Sequence, residues 1–231
     1  MATCSNCGHT GTGSYCSECG NSYTVKRITF GSILHEVTHT FTHFDKGFGY
    51  TLKELAIRPG IMQKKYLTGE RSRYQKPFSM FFICASITAL SFYYITHNTS
   101  GTTDIEISRE NFLKNYFVIL QSVLLPAFAL ITWLLFRNKN LNYAGTLVLF
   151  VYTLAFGFLL IIPVNLASLF STSRWVVFAD IPVLGAYVIW TNLNFFNKQR
   201  AWIVVIKSTF VLLVGWFASN IIGEQIINWM A

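Results

Sequence analysis

The chain has 231 residues, 52% of them hydrophobic and 12% charged, with 18 Lys and Arg against 10 Asp and Glu, a net charge of +8 and a mean hydropathy of +0.43. An average soluble domain is about 25% charged, so this composition excludes an ordinary soluble globule. A basic pI near 9.3 does not by itself point to nucleic acid, because the charge is unevenly placed: 15 of the 28 charged side chains (18 + 10), including ten of the Lys and Arg, precede Pro77. In a membrane protein such asymmetry reads as topology and contact with anionic lipid.

Three regions follow: residues 1–21, residues 22–76 and residues 77–231. The fold class expected is an all-α membrane protein, with about five transmembrane helices preceded by a small zinc ribbon and amphipathic cytoplasmic helices. Residues 1–25 hold no apolar stretch of signal-peptide type, so the N-terminal region is expected to stay in the cytosol.

The first motif is Cys4-Ser-Asn-Cys7-Gly8, followed by Cys16-Ser-Glu-Cys19-Gly20. Two thiolates three positions apart can reach one ion from a single tight turn. The glycine after each pair lets the backbone take a positive φ and aim its N–H groups at the sulfurs. Four thiolates close a tetrahedral site with no position left for water, which predicts one structural Zn2+ on Cys4, Cys7, Cys16 and Cys19. So short a module cannot bury a core, and the metal would supply its folding energy. Iron in the same geometry, or a metal-free dithiol pair, is the alternative. Four of the five cysteines are in two tight pairs, as suits a reducing compartment.

After a polar linker at 22–27, residues 28–48 predict an amphipathic helix. Phe30, Leu34, Val37, Phe41, Phe44 and Phe48 draw one apolar stripe at alternating spacings of four and three. The stripe is expected to dock a protein partner on the cytoplasmic side. A bilayer-bound helix would carry many Lys and Arg on its polar face, and this one has only Lys46. Its polar face instead holds His35, Glu36, His39, His43 and Asp45, and His35-Glu36-Val37-Thr38-His39 is an H-E-x-x-H match. In metalloproteases that spacing sets two zinc ligands beside a general base. Here the histidines lie opposite the stripe, on the outer face, and no third ligand is obvious, with Asp45 and Glu54 the remaining candidates. A membrane metalloprotease is thus the weakest of three functional readings.

Residues 51–57 and 61–67 predict two short helices broken at Pro59 and Gly60. Lys64, Lys65, Arg71, Arg73 and Lys76 cluster just before the first long apolar run, with Tyr66 and Tyr74 at headgroup level, and predict contact with anionic lipid headgroups. Taken together, the double C-x2-C-G, Glu36, the Thr51-Leu52-x-x-Leu55-x-x-x-Pro59 stretch and Tyr66-Leu67-x-Gly69-x-Arg71-x-x-Tyr74-x-x-Pro77 resemble a family of uncharacterised bacterial membrane proteins with an N-terminal zinc ribbon and a domain of unknown function. The resemblance covers roughly residues 1–95. It implies an integral membrane protein with metal-binding cysteines and carries no assigned reaction.

Five apolar segments follow, approximately 77–95, 116–136, 143–163, 175–194 and 201–223, each near the roughly 20 residues that cross a hydrocarbon core. Cys84 in the first is expected to be a small packing residue. Pro126, Pro163 and Pro182 are expected to interrupt three of them. The N-terminal region and the second and fourth loops carry 14 Lys and Arg (10 + 2 + 2), against three in the first and third loops. The positive-inside rule then places the N-terminus in the cytoplasm and the C-terminus outside, in the inner (cytoplasmic) membrane. Asp180 and Lys207 fall inside apolar segments, about 8 and 9 Å deep from opposite ends at about 1.5 Å per residue. Each is expected to snorkel to its own interface, with a water-filled pathway as the alternative.

No catalytic constellation is evident. The function expected is therefore that of an adaptor or assembly factor, docking a partner through ribbon and stripe. A transporter or lipid-handling protein is the second reading. Nucleic acid is not an expected partner.

Overall fold

The computed structural model describes residues 1–4, 6–24, 29, 31, 47–99, 105–136, 141–167 and 179–230. Its helical elements are α1 (Phe48–Ile57), α2 (Ile61–Thr68), α3 (Pro77–Thr99), α4 (Ile105–Phe136), α5 (Tyr143–Ala167), α6 (Asp180–Phe195) and α7 (Ala201–Met230), preceded by strands β1 (Ala2–Thr3) and β2 (Thr10–Gly11). The amphipathic helix expected over 28–48, with Phe30, Leu34, Val37, Phe41, Phe44 and the histidine row, lies outside the described residues. Phe48 is described: it opens α1 and packs half-buried on the core.

Helix α5 is the centre of the bundle and touches α3, α4 and α6, while α7 closes against α4 and α6. Every residue from Ala144 to Phe158 is buried, because this helix is apolar all round and therefore needs protein on every side. The other long helices bury one face. They expose large apolar side chains on the opposite one, among them Leu90, Ile119, Val123, Phe210 and Phe217. Water does not tolerate so continuous an apolar surface, whereas lipid does.

Four helices are long and apolar enough to cross a membrane: Pro77–Ile95, Val118–Phe136, Tyr143–Ala167 and Ala201–Ile226. The segment expected at 175–194 is represented by α6, of which 16 residues are described. The prolines do not interrupt their helices: α4 runs through Pro126 and α5 through Pro163. Pro182 sits in the first turn of α6, where no helical N–H is required of it.

The α1–α2 hairpin is not an appendage on the bundle. It contacts α5 and α6, and its Leu55, Met62 and Gln63 are fully buried. Two tyrosines fix it. Pro59 has no N–H to give the carbonyl of Leu55 four residues earlier, and Tyr187 of α6 donates to that carbonyl at 3.1 Å. Gln75 precedes the first turn of α3, so its carbonyl has no helical partner, and Tyr152 of α5 donates to it. Tyr152 and Tyr187 lie about two turns, at about 3.6 residues each, from the ends of α5 and α6 that meet the hairpin.

Two glycines make the seating possible. Gly60 has φ +80°, and a Cβ there would strike the Thr191 carbonyl and come within 2.7 Å of the Phe195 nitrogen. Gly47 lies against the chain at 73–75, where a Cβ would be 2.7 Å from the Arg73 carbonyl oxygen. Beside it Thr51 bonds both ways, donating to the Gly47 carbonyl at 2.8 Å and accepting the Gln75 N–H at 2.8 Å.

Candidate metal centre

The N-terminal module is built twice from one pattern. The N–H of Gly8 donates to the Cys4 carbonyl at 2.9 Å, and that of Gly20 to the Cys16 carbonyl at 2.9 Å. The Cys4 N–H reaches the His9 carbonyl at 2.8 Å, and the Cys16 N–H the Asn21 carbonyl at 2.8 Å. The Thr3–Thr10 pairing in the first half corresponds to the Tyr15–Ser22 bridge in the second. Gly8 and Gly20 take φ of +79° and +68°, with nothing within 4 Å of a Cβ at either. Conformation, not space, requires glycine there.

The two turns face each other and bring all four Sγ atoms within 4.8 Å of one another. Cys4 and Cys19 are 3.5 Å apart, as are Cys7 and Cys16. A tetrahedral ion with bonds of about 2.3 Å sets its sulfurs about 3.8 Å apart, so the donor set and spacing fit a four-thiolate metal. None of the four is in a disulfide. Cys4 and Cys16 are buried and Cys7 is exposed.

The sulfurs do not share charge equally. A side-chain hydrogen bond from Asn6 and the backbone N–H of Asn21 push Cys19 down to about 6. Burial acts to raise Cys16, but the N–H groups of Cys19 and Glu18 outweigh it and the net direction is down. Cys7 is pushed up to about 12: the N–H of His9 opposes the rise, and burial together with the neighbouring sulfurs drives it. Tyr23 rests on Gly11, and burial and the Cys16 sulfur push its hydroxyl up to about 12. The packed module therefore extends past residue 21, as far as Tyr23, whose N–H donates to the Ser14 carbonyl at 3.1 Å.

A polar contact joins this module to the end of the hairpin: the Asn21 side-chain amide donates to the Gly69 carbonyl at 3.3 Å. Gly69 ends α2 in the left-handed region, φ +114°. The five basic residues expected to contact anionic headgroups stand in different surroundings. Lys64 donates to the Asn197 side chain at 3.0 Å, in the α6–α7 turn. Arg71 lies over the Tyr66 ring and donates to the Tyr66 carbonyl at 3.2 Å. Lys65 is half-buried, and Arg73 and Lys76 are exposed.

Of the two charges expected at membrane depth, Lys207 donates to the Leu135 carbonyl at 2.7 Å and lies over the Phe136 ring. It thus caps the C-terminus of α4, where the helix dipole favours a cation. Asp180 accepts the N–H of Ile181 at the opposite end of α6. Cys84 is fully buried in the main core.

Sequence reasoning missed Tyr152, Tyr187, Gln63 and Gln75. The tyrosines had a signal: a hydroxyl in a long apolar run must find a buried partner. The side-chain amide of the fully buried Gln75 and the Nε2 of Gln63 have no hydrogen-bond partner among the described residues.

Four membrane-length helices around an inserted hairpin, headed by a four-cysteine cluster that can hold a metal ion, define a multi-pass helical membrane protein with a metal-binding module. Residues 45–89 match the family described as protein of unknown function (DUF3667). The match takes in α1, α2 and the first half of α3, and so corresponds to the inserted hairpin rather than to the cysteine module. The motif residues noted above are its packing contacts: Thr51, Leu55, Tyr66 and Tyr74 are all buried. No curated protein and no solved structure matches the chain.

Proposed function

We propose that this chain is a membrane-embedded adaptor or assembly factor of the bacterial inner membrane, presenting a zinc ribbon on its cytoplasmic side to a protein partner. The observation that carries the reading is Tyr15. It stands 70% exposed beside Cys16, on a module whose four thiolates would leave a bound ion no open position. A closed site performs no substrate chemistry, and an exposed tyrosine on a rigid frame is the residue type that anchors protein interfaces. The ion is taken as Zn2+, one per chain. The membrane region is read as five spans, α6 counted among them, with the N-terminus inside and the C-terminus outside, as the Lys and Arg distribution favours. Exposed Arg73 and Lys76 then face anionic headgroups.

Phe30, Leu34, Val37, Phe41 and Phe44 form the second contact; Phe48, expected to share that stripe, packs on the chain's own core and is withdrawn from it. Purification in mild detergent should bring down a stable partner with the native chain, and Tyr15→Ser and Phe41→Asp should each lose it while insertion stays normal. His39→Ala should retain it. If His39→Ala alone abolishes function, a metalloprotease of the H-E-x-x-H type replaces the adaptor. Lipid handling is the second reading, favoured by a cavity among the spans.

A further inference from the structure

A cavity of about 500 Å³ opens between α4, α5, α6 and α7, within the range of small-molecule sites. Phe128, Phe150, Leu184, Val188, Leu212 and Trp216 wall it. Two of its polar side chains gather at one end: Asp180 opens α6, and Gln121 of α4 donates to Ser219 of α7 at 3.2 Å, while Thr209 of α7 lines it farther along. That end is the one remote from the hairpin, since Gly60 meets α6 at Phe195 and Asp180 is the opposite terminus. The α6 helix is about 24 Å long at about 1.5 Å per residue, so the space runs from a polar end toward the middle of the bundle.

The opening faces lipid rather than water. Ile181, Leu213 and Trp216 line it and are 48%, 52% and 46% exposed, and their surroundings on α7 are the exposed Phe210 and Phe217. An apolar space that opens through an apolar, membrane-facing wall is filled from the bilayer. Glycine keeps it open: a Cβ at Gly185 would meet only Leu212, at an ordinary 3.6 Å, so larger side chains there would project into free volume.

We propose that this cavity is a binding site for a single alkyl chain of a membrane amphiphile, entered sideways from the bilayer, with the polar end of the ligand at Asp180 and Gln121. Those two groups offer a carboxylate acceptor and an amide, which suits a head bearing O–H or N–H donors. The site is independent of the ribbon and of the partner assigned to it above.

The test is photolabelling of the full chain in vesicles with a fatty alcohol carrying a mid-chain diazirine, and separately with phosphatidylethanolamine carrying the same chain. Adducts should concentrate on Leu184, Leu212 and Trp216 with at least one probe. The probe that labels distinguishes a free single-chain amphiphile from a bilayer phospholipid. Gly185→Phe and Leu212→Trp, which fill the cavity from α6 and from α7, should each lower that labelling about tenfold, a change of about 1.4 kcal/mol in binding. Labelling spread over Leu90, Ile119 and Val123 in proportion to their exposure, or unchanged in both variants, would mean ordinary boundary lipid and would overturn the proposal. If neither variant yields monodisperse protein, the adduct map of the native chain decides alone.

Discussion

The hydroxyl of Tyr187 donates to the carbonyl of Leu55 at 3.1 Å, across 132 positions of sequence. It replaces the N–H that Pro59 lacks. Tyr187→Phe keeps the ring packing and leaves that buried carbonyl bare, which costs about 1–3 kcal/mol. The thermal midpoint in mild detergent should fall, and Tyr152→Phe should lower it further. An unchanged midpoint in both variants would show that the hydroxyls do not hold the hairpin.

Gly60 and Gly49 make a controlled pair. Gly60→Ala adds a methyl against α6 backbone at a positive φ and should abolish monodisperse yield. Gly49 lies within α1 with nothing near a Cβ, so Gly49→Ala should stabilise by about 0.5–1 kcal/mol. Equal behaviour of the two would contradict the tight seating at Gly60.

Lys207→Met preserves most of the side-chain volume and removes the cation at the end of α4. The loss should be about 1–2 kcal/mol, the upper range for a partly buried charge at a helix C-terminus. Lys207→Arg should recover part of it. A Met variant as stable as the native chain would return Lys207 to the list of pathway candidates.

Cys7→Ser should reduce bound metal from one equivalent to none and unfold residues 1–23 while the membrane helices stay inserted. Acid should act in the same direction. Cys19 is lowered in the folded module from the ordinary 9.0 to about 6, so its thiolate favours the fold above the ordinary thiol range. In the metal-free module that contribution is lost as pH falls through about 6; bound metal is likewise lost on acidification, because each ligand must be deprotonated. Metal content that rises on acidification would overturn this assignment.

A reporter fused after Ala231 should appear outside the cell membrane and one inserted at Lys139 inside. A cytoplasmic C-terminal reporter would leave an even number of spans and remove α6 from the membrane-crossing set.

The metal module was legible because its chemistry is local: spacing, glycine and thiol are adjacent in sequence, and the structure gathers the same four sulfurs. The long apolar runs were legible for a similar reason, since length and composition alone mark them. The hairpin was read as two short helices broken at Pro59 and Gly60, which is how it folds locally. Its insertion was not legible. Lys53, Arg58, Lys64 and Lys65 make the segment look peripheral. What overrides them is Leu55, Met62 and Gly60 on the other face, meeting residues more than a hundred positions away. Lys207 illustrates the same limit: its depth could be counted, but its partner, a main-chain carbonyl of α4, leaves no trace in residue type.

The seat of the hairpin has a consequence in time. Leu55 is synthesised 132 residues before the tyrosine that holds it, a wait of roughly 7–26 s at about 5–20 residues per second of translation. Through that interval the segment matched by the family has no receptor, because α5 and α6 do not yet exist. It is made early and placed late. Nascent chains arrested before Tyr187 should leave residues 48–68 open to proteases and chaperones, and release past Phe195 should close them off. The length of the chain thereby acts as a clock on when the N-terminal module becomes fixed to the membrane body.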